Sequence, residues 1–306
     1  MKEKLKEKYK VILYYKYVHI DNPTELRMEQ FEFCKKLGFK GRIIIAEEGI
    51  NGTFEGLESA CKEYIDYVKK DKRFADIHWK ISEGTENGTA FPKLSVKVRL
   101  EIVSLHLGEE KDIDPNTLTG THLSPDELRK WYEENREFYI VDMRNDYELK
   151  VGKFQNTIFP GMENFRDLRK KFKKIKNLKD KPVLTVCTGG VRCEKASGFL
   201  KREGFENVYQ LDGGIVSYME KYPGKDFDGS LYVFDKRLTM HFDNGTDHKI
   251  IGRCEKCKNP SEAYRNCRSM YCHRHFICCD DCLTPDGSAF CNLKCKIASR
   301  LFYLTH

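Results

Sequence analysis

Residues 187–193 read CTGGVRC, a thiol at each end of a loop that holds two glycines and an arginine. The apolar run KPVLTV precedes the loop and EKASGFLKREG follows it, so the loop joins a strand to a helix. Glycines let backbone N–H groups turn inward without a Cβ clash, and the helix start adds its positive end. Both favour a thiolate at Cys187, and Arg192 adds fixed charge. Cys187 and Arg192 are therefore candidate catalytic residues, with Cys193 as a second candidate thiol in the first helical turn. Thr188, Gly189, Gly190 and Val191 complete the candidate active-site loop. A P-loop would end in Gly-Lys-Ser/Thr, which is absent. A cysteine phosphatase has Cys-x5-Arg, whereas Cys187 to Arg192 is Cys-x4-Arg. The shorter loop suits one sulfur or oxygen atom better than a phosphate. The bland alternative is a packed cysteine at a tight turn.

A second chemistry is written at the other end of the chain. Of 13 cysteines, nine fall between Cys254 and Cys295. The pairs Cys254/Cys257, Cys267/Cys272, Cys279/Cys282 and Cys291/Cys295 have the spacing of metal knuckles, with Cys278 left over. They predict two four-thiolate zinc sites, sequential or cross-braced, with His273 and His275 as possible substitutes for a cysteine. A closed thiolate site is structural, because it leaves no open position and zinc has no redox activity. Residues 253–306 carry nine Lys/Arg and five Asp/Glu, a net +4, so this knuckle is also a candidate RNA contact.

The elements that must position these residues fall into three regions. In residues 1–104, KVILYYKYV, GRIIIAEEG, GINGTFEG, IHWKIS and LSVKVRLEIVSL read as strands, and PTELRMEQFEFCKKLG and LESACKEYIDYVKKD as helices. The order predicts a ferredoxin-like β-α-β-β-α-β domain. Asn51-Gly52 predicts a hairpin turn. Residues 105–120 read as a linker rich in turn formers. In residues 121–225, SPDELRKWYEE carries a capping box at Ser124 and Glu127. Strands FYIVDMR, PVLTVC and VYQLDGG alternate with helices, which predicts a small parallel α/β sheet. Residues 226–306 form a cysteine-rich region with little apolar periodicity, whose core is too small to hold a fold without help from the cysteines, as metal ligands or, alternatively, as reduced or disulfide-linked thiols.

The net charge of +7 suits a nucleic-acid partner and equally a solvated surface. No run approaches a membrane span, and MKEKLKEKYK is no signal peptide, so a cytoplasmic location is expected. Alternation in KLSVKVRLE puts Lys93, Ser95, Lys97 and Arg99 on one strand face, and with Arg42 these are candidate phosphate contacts. EGINGT reads as a backbone approach site for RNA or a plain hairpin. Tyr14, Tyr15, Tyr17, Phe39 and Trp79 are candidate platforms for a splayed base, or core.

CTGGVRC after a strand, VDMRNDYE upstream and YQLDGGI downstream together resemble a rhodanese domain. Asp142 and Arg144 match its Asp-x-Arg as supporting residues, Glu148 its following acid, Cys187 its persulfide cysteine, and Gly213–Gly214 its closing glycines. With GRIIIAEEGINGTFEG, FPKLSVKVRLEIVSL and the C-terminal cysteine block, the whole chain resembles the rhodanese-like tRNA uridine hydroxylases. That resemblance implies an enzyme that forms 5-hydroxyuridine at the tRNA wobble position in the anticodon loop, with molecular oxygen as co-substrate. Thr188 stands where many sulfurtransferases have arginine, and Cys193 is extra, which favours the hydroxylase over a sulfurtransferase carrying a persulfide on Cys187. A non-enzymatic RNA-binding adaptor is the third reading. No flavin or haem motif is present, and no two-histidine-one-carboxylate set stands out among the nine histidines.

Overall fold

A computed structural model describes residues 7–107, 113–242 and 248–305. The first six residues of the expected N-terminal domain, residues 108–112 of the expected linker, and residues 243–247 and 306 of the cysteine-rich region lie outside the described residues.

The first region runs β1 (Tyr9–Tyr17), α1 (Pro23–Lys36), β2 (Lys40–Ala46), β3 (Gly49–Leu57), α2 (Glu58–Val68), β4 (Lys80–Glu83) and β5 (Leu94–Val98). Its sheet has the order β4-β1-β3-β2-β5. The first four strands pair antiparallel, as a ferredoxin-like domain requires, and β5 is an added strand parallel to β2. One face is the core: Ile12, Tyr14, Ile43, Phe54 and Val96 meet Cys61 and Tyr64 of α2. Side chains alternate along a strand, so Leu13, Tyr15, Arg42 and Lys80 face the other way.

The hairpin expected at Asn51-Gly52 forms elsewhere. Ala46 pairs with Gly49, which makes Glu47–Glu48 the turn and puts Asn51 and Gly52 inside β3. Packing overrides the local turn signal. A Cβ on Gly52 would stand 2.4 Å from the Tyr14 ring, so this glycine clears space for a core aromatic.

The second region runs β6 (Thr121–Leu123), α3 (Pro125–Glu133), β7 (Tyr139–Asp142), α4 (Asp146–Leu149), β8 (Gly152–Phe154), α5 (Leu168–Lys171), β9 (Val183–Val186), α6 (Val191–Arg202), β10 (Val208–Leu211) and α7 (Gly214–Lys221). Strands β6-β10-β9-β7 make a wholly parallel sheet. Every residue of β9 is buried, as expected for a strand covered on both faces. The Ser124–Glu127 capping box is present at α3. Leu105, Leu107 and Ile113 of the connecting stretch pack into this region's core.

The third region contributes β11 (Phe227–Gly229), β12 (Leu231–Tyr232), β13 (Thr239–Met240), β14 (Tyr264–Asn266), β15 (His275–Ile277) and α8 (Leu293–Thr305). One of its apolar clusters is small and built largely of cysteine, with Phe276, Ala289 and Phe290, and another joins Tyr232, Tyr264 and Ile277 to Val151 of the second region. Among the described residues no helix is long and apolar enough to cross a membrane.

The first two regions are clamped together by a buried lysine. Lys195 of α6 lies 2.7 Å from Glu48 and 2.8 Å from Glu101, and its side chain has no solvent exposure. Glu48 belongs to the EGINGT stretch, so that stretch docks one domain on the other.

Candidate active site

Cys187 ends β9 and Val191 begins α6. Between them Gly190 takes a φ of 100°, which a side chain would resist. The Gly190 N–H donates to Cys187 Sγ at 3.2 Å. Burial alone would raise the Cys187 pKa. The Cys193 thiol, the Arg192 charge and the backbone N–H groups of Cys193 and Arg192 outweigh it, and the thiol falls to about 6. Cys193 moves the opposite way: burial and the adjoining Cys187 push it well above the usual thiol range. The pair therefore divides into a thiolate and a thiol that donates to it.

The loop glycines serve close packing as well as the N–H cradle. A Cβ on Gly189 would stand 2.7 Å from Leu13 Cδ2, and one on Gly190 would stand 2.8 Å from the Tyr15 hydroxyl. The N-terminal sheet thus presses directly on the loop. From the other side, a Cβ on Gly214 would lie 2.6 Å from Gly190 N. The Gly213–Gly214 turn brings the Ile215 N–H to Cys187 O at 2.9 Å and the Val216 N–H to Thr188 O at 3.1 Å.

Arg192 is not a bare cation. Its guanidinium makes a two-pronged pair with Glu148, at 2.5 and 2.9 Å, and Nη2 also donates to the Thr188 hydroxyl. Thr188 in turn donates to Glu148. Burial would raise the Glu148 pKa, but Arg192 and then Arg144 hold it below the ordinary carboxylate value. Asp142 and Arg144 make a fully buried pair at 2.7 Å, and Arg144 also donates to Gly152 O. They brace the 142–152 segment that carries Glu148 rather than meeting the thiolate.

Cys187 lines a cavity of about 500 Å³ walled by all three regions. Leu13, Tyr15, Arg42 and Lys80 come from the N-terminal sheet, and Phe234 and Arg237 from the third region. Of the five aromatics read as stacking candidates, Tyr15 lines this cavity. Tyr14 and Phe39 are buried in the core, Trp79 packs against it, and Tyr17 is buried with its hydroxyl on Val191 O. Arg42 and Arg99 line the cavity, whereas Lys93 and Lys97 are exposed outside its wall.

Lys80 escaped sequence reading. Alternation in IHWKIS places it on a face that looks solvent-bound, but the second region covers that face. Lys80 is 5% exposed and its ammonium lies 5.1 Å from the Tyr15 ring centroid. Burial lowers its pKa to about 8, against the opposing pull of Asp212, Cys187, Glu220 and Glu194. Glu194 and Lys195 likewise carry no local sign of their burial. Charged residues directly after a helix start read as surface, yet Glu194 accepts from Tyr15 and Gln210.

The C-terminal cysteines form two quartets: Cys254, Cys257, Cys279 and Cys282, and Cys267, Cys272, Cys291 and Cys295. The first and third pairs join, as do the second and fourth, so the arrangement is cross-braced. Four sulfurs each about 2.3 Å from a zinc ion stand about 3.8 Å apart. Here Cys257 and Cys279 are 3.5 Å apart, Cys272 and Cys291 3.6 Å, and Cys291 and Cys295 3.7 Å. The donor sets fit a thiophilic metal such as zinc. His273 and His275 belong to neither quartet; His275 stacks on Tyr264, with centroids 4.7 Å apart. Cys278 is buried beside the first quartet and outside it.

The chain matches three families in succession: the UPF0176 acylphosphatase like domain over residues 9–102, the rhodanese-like domain over 124–221, and the rhodanase C-terminal region over 228–296. A tRNA uridine(34) hydroxylase of Bacillus licheniformis is 45% identical over 305 residues, which is 98% of this chain and 92% of that one. One from Cytophaga hutchinsonii is 44% identical over 288 residues, 94% of this chain and 90% of that one. Among solved structures, a rhodanese-related protein of Thermoplasma volcanium is 27% identical, with 33% of this chain and 93% of that one covered and a TM-score of 0.29.

Proposed function

Since the chain belongs to the tRNA uridine(34) hydroxylase family, we propose that it converts the wobble uridine of tRNA to 5-hydroxyuridine with molecular oxygen, using Cys187 as nucleophile. The observation that carries this reading is the thiolate, with a pKa of about 6, at a cavity walled by cationic side chains. Its cytoplasmic location follows from a tRNA substrate.

The Cys187 thiolate adds to C6 of the uracil, and the C5–C6 electron pair moves onto C5 and O4. C5 then bonds to one atom of oxygen. Two thiols supply the two electrons and two protons that release the other atom as water, and they leave as a disulfide. Loss of the C5 proton and departure of Cys187 restore the C5–C6 double bond. The sum is uridine, oxygen and two thiols giving 5-hydroxyuridine, water and a disulfide. In this reading Cys193, hydrogen-bonded to Cys187, supplies the first of those thiols. Lys80 faces the same cavity and offers positive charge to the oxygen anion that forms at O4. Tyr15 offers a ring face to the base, and Arg42 and Arg99 offer phosphate contacts on the anticodon-loop side. Two zinc ions in the cysteine quartets hold the third region.

The test is mass spectrometry of nucleosides from unmodified tRNA incubated with purified protein and a dithiol. Under ¹⁸O₂ the 5-hydroxyuridine should gain one heavy oxygen, and under nitrogen none should form. Normal product from Cys187→Ser would overturn the covalent role. Thiocyanate formed from thiosulfate and cyanide, without 5-hydroxyuridine, would replace this reading by sulfur transfer.

A further inference from the structure

Although no two-histidine-one-carboxylate set is visible in the sequence, the fold assembles one. His241 Nδ1, His248 Nε2 and a Glu262 carboxylate oxygen all lie within 4.8 Å of one another. His248 Nε2 is 3.1 Å from Glu262 Oε1, and His241 Nδ1 is 4.0 Å from Glu262 Oε2. The Ser230 hydroxyl sits among them, 2.7 Å from His241 Nδ1, 3.3 Å from His248 Nε2 and 2.8 Å from Glu262 Oε2. Donors each about 2.1 Å from one ion stand about 3.0–3.5 Å apart at octahedral or tetrahedral angles. Of the three spacings, His248 to Glu262 already matches, and the two that involve His241 close by a small rotation of that side chain, which is 44% exposed. Glu262 and His248 are held more firmly, at 10% and 20% exposure.

Strand geometry fixes which way this set faces. Leu231 and Met240 pair across β12–β13, and both line the active-site cavity. Side chains alternate, so Ser230 and His241, one step further along each strand, point to the opposite face. On that face Tyr232 packs edge-on against Tyr264 and His275 of the third region. Glu262 comes from the same region, between the first and second cysteine pairs. The donors therefore bridge the β12–β13 cavity wall and the 254–295 segment that carries the cysteine quartets.

We propose that His241, His248 and Glu262 bind a divalent first-row transition metal as a third site, separate from both cysteine quartets. Imidazole and carboxylate donors suit zinc, iron(II) and manganese(II), so the mixed set differs in chemistry from the thiolate sites. Facing away from the cavity, the ion is a clasp: within the third region it fastens the β12–β13 wall to the 254–295 segment that carries the cysteine quartets.

Tag-free, full-length protein is loaded with Zn²⁺, desalted and counted by elemental analysis. Wild type should retain three zinc ions per chain, and the double variant His248→Ala, Glu262→Gln should retain two. Two ions in wild type, or three in the variant, would overturn the proposal. Zinc X-ray absorption of loaded wild type gives a readout that needs no variant. Nitrogen or oxygen scatterers must appear beside sulfur, and a pure sulfur shell would overturn it.

Discussion

Cys187 and the C-terminal cysteines are the same side chain in two settings. Cys187 is a thiolate because backbone N–H groups, a partner thiol and Arg192 converge on it within a buried loop. Most quartet cysteines stand on loops and short turns, with Cys295 in the first turn of α8, and three of their sulfur pairs are 3.5–3.7 Å apart. Backbone N–H groups reach some of those sulfurs as well, Cys254 and Cys267 among them, but Cys187 has the Arg192 charge in addition, and a cation is what reconciles four thiolates at such range. Reactivity is thus set by what converges on the sulfur. In the first setting the protein supplies the charge. In the second, the charge has to come from outside.

The sharpest way to separate the two settings is to remove one sulfur from each. Cys187→Ser should lower 5-hydroxyuridine formation by about a thousandfold or more, with metal content unchanged. Elemental analysis and nucleoside mass spectrometry on one preparation check both halves. Cys257→Ser should do the converse. It should cost one zinc per chain and unfold the third region at a lower temperature, because metal binding there is folding free energy. Retained zinc and an unchanged melting profile would erase the distinction.

Smaller changes probe how the Cys187 setting depends on tertiary contacts that the quartets do not use. Lys195→Met strands Glu48 and Glu101 without their shared cation. The loss should be about 3–5 kcal/mol of stability by denaturant melts, with zinc retained. Lys80→Met should lower kcat about tenfold and leave metal content alone. The smallest effect is a pH shift. Iodoacetamide labelling of Cys187, followed by peptide mass spectrometry, should rise through about pH 6 and level off above it, since the thiolate is the reactive form. In Cys193→Ala the thiolate loses a hydrogen-bond donor, so the midpoint should move up by about one pH unit. Zinc-bound quartet cysteines should stay unlabelled across that range until a chelator is added.

What the sequence made legible was local. The strand–loop–helix around CTGGVRC, the capping box at Ser124 and the four cysteine pairs are written in adjacent residues, and the structure has each of them. The errors came where distant packing outvoted local pattern. Asn51-Gly52 has the chemistry of a turn, but Tyr14 needed the space above Gly52. Tyr14 and Tyr15 are neighbours with opposite fates, because alternation sends one beneath the helices and the other into the cavity. Lys80, Glu194 and Lys195 looked like surface because domain docking leaves no periodic trace. Cross-bracing was invisible for a related reason: the same four spacings serve either pairing. His241, His248 and Glu262 share no fixed interval at all, and the fold alone brings them together.

The cavity takes Tyr15 from the first region, Cys187 from the second and Phe234 from the third. Ribosomal synthesis delivers these walls in that order. While the nascent chain ends anywhere between the loop and the third region, the loop is made but its enclosure is not. A polypeptide truncated there would lack the Phe234 and Arg237 side of the cavity that holds the sulfur. The cavity is therefore closed only near the end of translation, and stalled or clipped products would carry an incompletely walled thiol.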